Sequence, residues 1–313
     1  MRAGALDQLH KSFFRPDALV SFLDKQAKYV LLLPSLILLA VLFAYPLAYT
    51  ISLSVHDVNL FNIRRGGAPY VGLEHYVGAL TNPEIWHAIG ITVVLFGISL
   101  IIQLILGMGL AIIFNRPFAG RNLLMTICLI PMMITPIAVG MFWRLLLNAQ
   151  WGVVNYFLGL LGLARQPWLG DTSLVHVAVV GVYVWWEVSF VFLVFLGGLT
   201  SLPTEPFEAA SIDGASGLRA FRSITLPMMV PVILVVVIMR VIDAFRAFDI
   251  IYALTEGGPG NSTRVIALEL YEIAFRRNHY SEAAALAILM SLLMIVMTAL
   301  LMRALGYRSN EDA

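Results

Sequence analysis

Residues 201–226 read SLPTEPFEAASIDGASGLRAFRSITL, the one sizeable polar interruption in the apolar second half of this chain. The flanking stretches, 174–200 and 224–251, are each long enough to cross a bilayer. The interruption begins like a helix. Thr204 stands at a capping position, Pro206 is tolerated in the first turn, and Glu205 and Glu208 suit the positive end of a helix dipole. Phe207, Ala210 and Ile212 give it an incomplete apolar stripe, and Gly214 supplies a residue that ends a helix in the left-handed region. A second short turn is expected over 215–221. Two short helices joined by a glycine corner, held in water between two membrane spans, form a docking surface.

Composition agrees with that setting. Only 12% of the 313 residues are charged, about half the share usual in a soluble domain, and the apolar residues come in runs of about twenty or more. The fold class expected is therefore all-α, a polytopic membrane protein. A net charge of +1 with no basic patch gives no support to a nucleic-acid partner. The single cysteine, Cys128, excludes an internal disulfide, and the six scattered histidines show no metal-binding spacing. The run 29–55 exceeds a signal-peptide core and reads as an uncleaved first span.

Six spans are expected near 29–55, 86–114, 122–147, 174–200, 224–251 and 282–305. Residues 1–28 form a polar, basic segment with a short amphipathic pattern around Leu19, Phe22 and Leu23, and 306–313 form a tail. The short connections carry Arg116, Arg121, Arg219 and Arg222, and the tail carries Arg308. The positive-inside rule then places both termini and the 201–226 loop in the cytoplasm. Between spans three and four, WGVVNYFLGLLGL (151–163) is too short and glycine-rich to cross, and reads as a helix lying in the interface with Trp151 and Tyr156 at headgroup depth.

The polar loop also carries a pattern: Glu208-Ala209-Ala210, three residues, Gly214, nine residues, Ile224, one residue, Leu226-Pro227. This resembles the EAA motif of ABC importer permeases, in which that helix couples to a cytoplasmic ATPase. YPLAYTISLS (45–54), YVGLEHYVGAL (70–80), PMMITPIAVGMFWRLL (131–146), PWLGD (167–171) and FDIIYALTEGGPGNST (248–263) look like the carbohydrate-uptake branch of the same family, over about residues 30–305. The resemblance implies six transmembrane helices in a permease domain spanning 29–305. It assigns ATPase coupling to Glu208, Ala209, Ala210, Asp213, Gly214, Ile224 and Pro227. It also implies a second homologous permease subunit, two ATPase subunits that hold the ATP and magnesium, and an extracytoplasmic binding protein that delivers a sugar or sugar-like solute. This chain would need no cofactor and no catalytic residue, and would sit in the bacterial inner membrane. An anionic, glycerol-phosphate-type solute is the alternative cargo.

Chemistry of other kinds finds little support. No GxxxxGK[ST] phosphate loop is present, and Gly257-Gly258-Pro259-Gly260 lacks the lysine that would follow. A secondary transporter would have no use for an ATPase-docking helix, and an intramembrane enzyme would need a nucleophile–base pair that the chain does not show. The informative residues are ionisable groups inside spans: Arg144 near the outer end of the third, Glu187 on the fourth, and Arg240, Asp243, Arg246 and Asp249 on the fifth. Each charge at a helix centre costs roughly 2.5–3.5 kcal/mol on an insertion scale, so these groups are expected to face a bundle interior or a wet cavity. Their spacing of three allows an ion-pair ladder along one helix face. The other reading is a substrate-lining face of Trp185, Trp186, Glu187, Asp243 and Arg246, with Phe245 and Phe248 as stacking surfaces. Pro131 and Pro136 interrupt span three, and Pro227 and Pro231 sit early in span five.

Overall fold

The computed structural model describes residues 29, 31–58 and 67–304. Its helices follow the apolar runs. In chain order they are α1 (Leu31–Ser54), α2 (Glu74–Thr81), α3 (Pro83–Phe114), α4 (Arg121–Leu129), α5 (Pro136–Leu146), α6 (Val153–Leu160), α7 (Thr172–Thr200), α8 (Glu205–Ile212), α9 (Gly217–Arg246), α10 (Asp249–Leu254), α11 (Ile266–Tyr271) and α12 (Tyr280–Ala304). Among the described residues no strand forms; His56 and Tyr70 make one isolated antiparallel bridge. Five helices (α1, α3, α7, α9 and α12) are long and apolar enough to cross a membrane, and the bent pair that contains α4 and α5 adds a sixth. The segments expected at 1–28 and 306–313 lie outside the described residues.

The long helices start where local chemistry allows. Asn82 accepts a hydrogen bond from the Glu84 amide ahead of Pro83, and Asp171 accepts from the Ser173 and Leu174 amides at the head of α7. The Leu174 and Ser173 amides hold the Asp171 carboxyl below its ordinary range.

Small residues set the closest helix crossings, as expected where lipid supplies no hydrophobic drive between helices. On α3, a Cβ on Gly107 would stand 2.6 Å from Val191 Cγ1 of α7. On α5, a Cβ on Gly140 would stand 2.7 Å from Ala253 and 2.8 Å from the Ile250 carbonyl of α10. Side chains larger than hydrogen would force these pairs apart. Three buried clusters result. One joins α3, α5, α7 and α10 around Leu95, Val179 and Ile251. A second joins α2, α3, α11 and α12 around Ala88, Ile266 and Leu286. The third joins the later halves of α3 and α7 to α9 around Phe192, Phe195 and Met229. Helix α1 stands apart, exposing most of its length and touching mainly α12.

The structure corrects four expectations. Span three is not one straight crossing from 122 to 147: 121–133 and Pro136–Leu146 meet at a 100° bend. Proline explains the position, because the residue before it is driven out of the helical region; Thr135 has ψ 142° and Ile134 ψ 136°. Span five does not run from 224 to 251. Its helix ends at Arg246, Ala247 takes ψ 82°, and α10 turns away to bury Ile250, Ile251 and Leu254. The turn expected at 215–221 is not a separate helix but the opening of α9, capped by Ser216 through the Arg219 amide. Thr204 does not cap α8 with its side chain, since its own backbone is already helical.

Candidate functional site: an exposed loop helix and a polar cavity

Two places gather the residues singled out by sequence. The first is α8. Its first turn carries Glu205 and Glu208, and none of its residues is buried. Ala215 donates to the Ala210 carbonyl at 2.9 Å and Gly214 to Ser211 at 3.2 Å, the paired bonds of a Schellman ending. Gly214 has φ +69°, with nothing within 4 Å of the position a Cβ would take. The glycine is therefore required by the backbone angle and not by crowding. Glu208, Ala209 and Asp213 are exposed, and Ile212 is 87% exposed, an apolar side chain aimed at nothing in this chain. Ile224 and Pro227 lie apart from this surface, in the first turns of α9. Behind α8, a groove of about 680 Å³ lined by Arg116, Leu202, Phe207, Leu218 and Phe221 separates it from the ends of α3 and α7.

The second place is a cavity of about 280 Å³ where α9 breaks into α10. Its wall includes Tyr183, Trp186 and Glu187 from α7, Asp243 and Arg246 from α9, and Asp249 from α10. Glu187 lies halfway along α7, about 22 Å from Thr172 and about 20 Å from Thr200. Trp186 is held in place: its indole N–H donates to the Ile134 carbonyl at 3.1 Å. One turn further, the Ser189 hydroxyl donates to the Cys128 carbonyl at 2.6 Å. Both bonds satisfy carbonyls around the proline break in span three, which lipid could not do. Phe248 also borders the cavity and stacks on Tyr252, ring centres 5.2 Å apart.

The buried ion pairing crosses between helices. Arg240 is 7% exposed, pairs with Glu187 of α7, donates to Asp243 at 2.6 Å, and lies 4.4 Å over the Phe190 ring. The single-helix ladder therefore stops after its first step. No ion pair joins Asp243 to Arg246 or Arg246 to Asp249 among the described residues: Arg240 already holds Asp243, and the helix ends between Arg246 and Asp249. The register across α7 and α9 is regular: Gly198 faces Met229, Glu187 pairs with Arg240, and the interval is the same on both antiparallel helices. Arg240 thus sits level with Glu187.

Two residues grouped by sequence with the cavity do not line it. Trp185 packs edge-on against Trp143, and Phe245 is buried beside Ala88, Ile266 and Met290. Tyr183, which does line it, had no signal in the sequence beyond its position one helical turn before Trp186 and Glu187. Near the other end of the bundle, Arg144 pairs with Glu256 at 2.8 Å, and the fully buried Glu269 accepts from Arg264 and Arg277. Those charges are structural ties that do not line the cavity.

A bundle of apolar helices with one broken crossing, a polar pocket halfway along and an exposed polar helix at one end defines a membrane translocation protein. The comparisons make the class specific. Residues 103–310 match the family described as binding-protein-dependent transport system inner membrane component, and the chain belongs to that family: it is a multi-pass membrane protein, a permease component. It is 35% identical over 292 residues to the trehalose/maltose transport system permease protein MalF of Thermococcus litoralis, covering 93% of this chain and 97% of the relative. It is 32% identical over 282 residues to the sulfoquinovosyl glycerol transport system permease protein SmoG of Agrobacterium fabrum, covering 90% of each. The fold is shared with a bacterial ABC transporter involved in the import of the acidic polysaccharide alginate, at TM-score 0.78 and 24% identity over 92% of this chain and 98% of that one.

Proposed function

We propose that this chain is one permease subunit of an ABC importer that passes a sugar or sugar-like solute across the inner membrane. The observation that carries the reading is the cavity at the α9–α10 break. There a fixed indole stands beside carboxylates halfway along the bundle, in a chain whose relatives are named as carriers of trehalose/maltose, sulfoquinovosyl glycerol and sn-glycerol-3-phosphate. Glu187, Asp243 and Asp249 accept hydrogen bonds from hydroxyls, Arg246 donates them, and the faces of Trp186 and Phe248 cover the apolar side of a pyranose ring. Trp185 and Phe245 support this wall from behind without reaching the solute.

The permease works with a second, homologous permease, two cytoplasmic ATPase subunits holding ATP and magnesium, and a solute-binding protein outside. Both termini face the cytoplasm, on the side of α8. Helix α8 is the coupling helix. Its exposed Ile212, with Glu208, Ala209 and Asp213, presents the surface an ATPase cleft would cover, and the Gly214 corner sends its motion into α9. Ile224 and Pro227 lie on the helix that receives the motion. Closure of the ATPases pulls on α8, α9 transmits it to the Glu187–Arg240 level, and the cavity changes its side of access. The chain converts motion into access and performs no bond chemistry.

The complete importer in sealed vesicles tests the reading. Uptake is expected to require ATP, and Trp186→Ala is expected to impair uptake while the binding protein's own affinity stays constant. Uptake driven by an ion gradient without ATP overturns the importer assignment. Normal transport kinetics in Trp186→Ala, and in Glu187→Gln with its pairing partner also neutralised, overturns the assignment of the cavity.

A further inference from the structure

The wall of the cavity is chemically lopsided. Glu187, Asp243 and Asp249 contribute three carboxylates, while Arg246 is the only cation that lines it. Arg240 lies buried behind the wall and divides its guanidinium between Glu187 and Asp243. With Arg240 included, three carboxylates stand against two guanidiniums, and one negative charge remains. Three helix ends border the same space: the negative end of α9 at Arg246 and the positive ends of α5 at Pro136 and of the short α10 at Asp249. Each carries only a fractional charge, so they reduce the negative excess without reversing it. Asp249 is exposed, with no ion-pair partner among the described residues, so its charge acts on the cavity without neutralisation.

From this geometry we infer that the cavity is an electrostatic filter: it admits uncharged, hydroxyl-rich solutes and repels anions, with Asp249 and Asp243 as the residues that set the selectivity. The inference rests on the cavity's being the solute pathway and adds the chemical class of the cargo. Among carbohydrates it separates neutral sugars and polyols from sugar phosphates, uronates and sulfonates. Arg246 sets the opposing limit, since without it the cavity would hold cations.

The local potential is measurable without any sugar. In the assembled importer in native membranes, with Cys128→Ala, a single cysteine is placed on the wall as Ala247→Cys or, separately, Phe248→Cys. Each is treated with methanethiosulfonates of similar size carrying a trimethylammonium, a sulfonate or no charge. Rates are normalised to those of 2-mercaptoethanol. The cationic reagent is expected to outpace the anionic one by about tenfold to a hundredfold: at roughly 12 Å through an effective dielectric near 20, one net charge speeds the cation and slows the anion by about tenfold each, and half that charge by about threefold each. Asp249→Asn, which leaves the buried pair intact, is expected to cut that ratio several-fold, and Arg246→Gln to raise it. A normalised ratio at or below one, a ratio that Asp249→Asn does not move, or wall cysteines that even the neutral reagent cannot reach would each overturn the filter. Failure of the sugar reading looks different: the rate ratio holds, yet the wild-type importer moves no carbohydrate.

Discussion

The loop helix α8 and the cavity are held by opposite kinds of interaction. Every bond that shapes α8 comes from within a few residues: two acidic residues in its first turn, and the Ala215–Ala210 and Gly214–Ser211 bonds that close it. It buries none of its residues and leaves Ile212 uncovered. The cavity has almost no local definition. Its Trp186 is fixed by Ile134, its Glu187 by Arg240, and its lower edge by a helix break that only the packing of Ile250 and Leu254 on α5 explains. A surface built locally and left uncovered suits the docking role proposed for α8. A pocket held by long-range ties inside a bundle can change its opening when one helix moves.

Mutations that strike one region and spare the other test the contrast. The largest effect is expected at Arg240. Arg240→Met leaves the Glu187 carboxylate buried without its partner, at a cost of about 3–5 kcal/mol. Membrane levels and thermal stability of the importer are expected to fall sharply, and Glu187→Gln added to Arg240→Met is expected to recover most of the loss. If the single variant is as abundant and stable as the wild type, the inter-helix pair does not hold the cavity together.

Next comes Gly214→Val. A β-branched residue at φ +69° is strained by about 1–3 kcal/mol, but no neighbour stands in its way. The protein is expected to insert and melt almost normally while uptake is lost and ATP hydrolysis no longer responds to solute. Intact coupling in this variant would remove the mechanical role proposed for the corner. Trp186→Phe is a finer probe. It keeps a smaller ring in the cavity and deletes the N–H bond to Ile134, worth about 0.5–1.5 kcal/mol. A small fall in melting temperature with a rise in the solute concentration for half-maximal uptake is expected, in contrast to the stronger impairment in Trp186→Ala.

The smallest effect is at Asp171, a local cap like those that organise the loops, remote from both regions. Its carboxyl is held below the ordinary range by the Leu174 and Ser173 amides, so the stabilisation is present above the unfolded-state pKa of about 3.9. It is lost as pH falls through the lower folded-state value. Asparagine caps nearly as well but does not titrate. Wild type is therefore expected to lose its small advantage over Asp171→Asn on acidification, read from melting temperatures near neutrality and in acid. A gap that widens as pH falls would contradict the sign.

The helix plan was legible for a physical reason: hydrocarbon demands long apolar runs whose backbone bonds close within the segment. Runs at 29–55, 86–114, 174–200 and 282–305 accordingly reappear as α1, α3, α7 and α12 within a few residues. The same reasoning marked Glu187, Asp243 and Arg246 as groups that must avoid lipid. It did not separate Trp186 from Trp185. Neighbours on one helix point in different directions, and which one faces a cavity depends on where α5 and α9 lie. Nor did it reveal the Glu187–Arg240 pair, since residues so far apart in sequence meet only through helix register.

What the amino-acid sequence determined alone was therefore whatever is enforced within a few turns: which segments cross, where prolines interrupt them, and the glycine-cornered helix at 205–214. Tertiary structure alone decided the direction of the break at Ala247, the turning of Arg240 to another helix, and the choice of Tyr183 over Trp185 for the cavity wall. The reason is one of range. Backbone angles, caps and hydrophobic length act on neighbours along the chain, whereas the charge balance of a buried site depends on which helices meet and at what level.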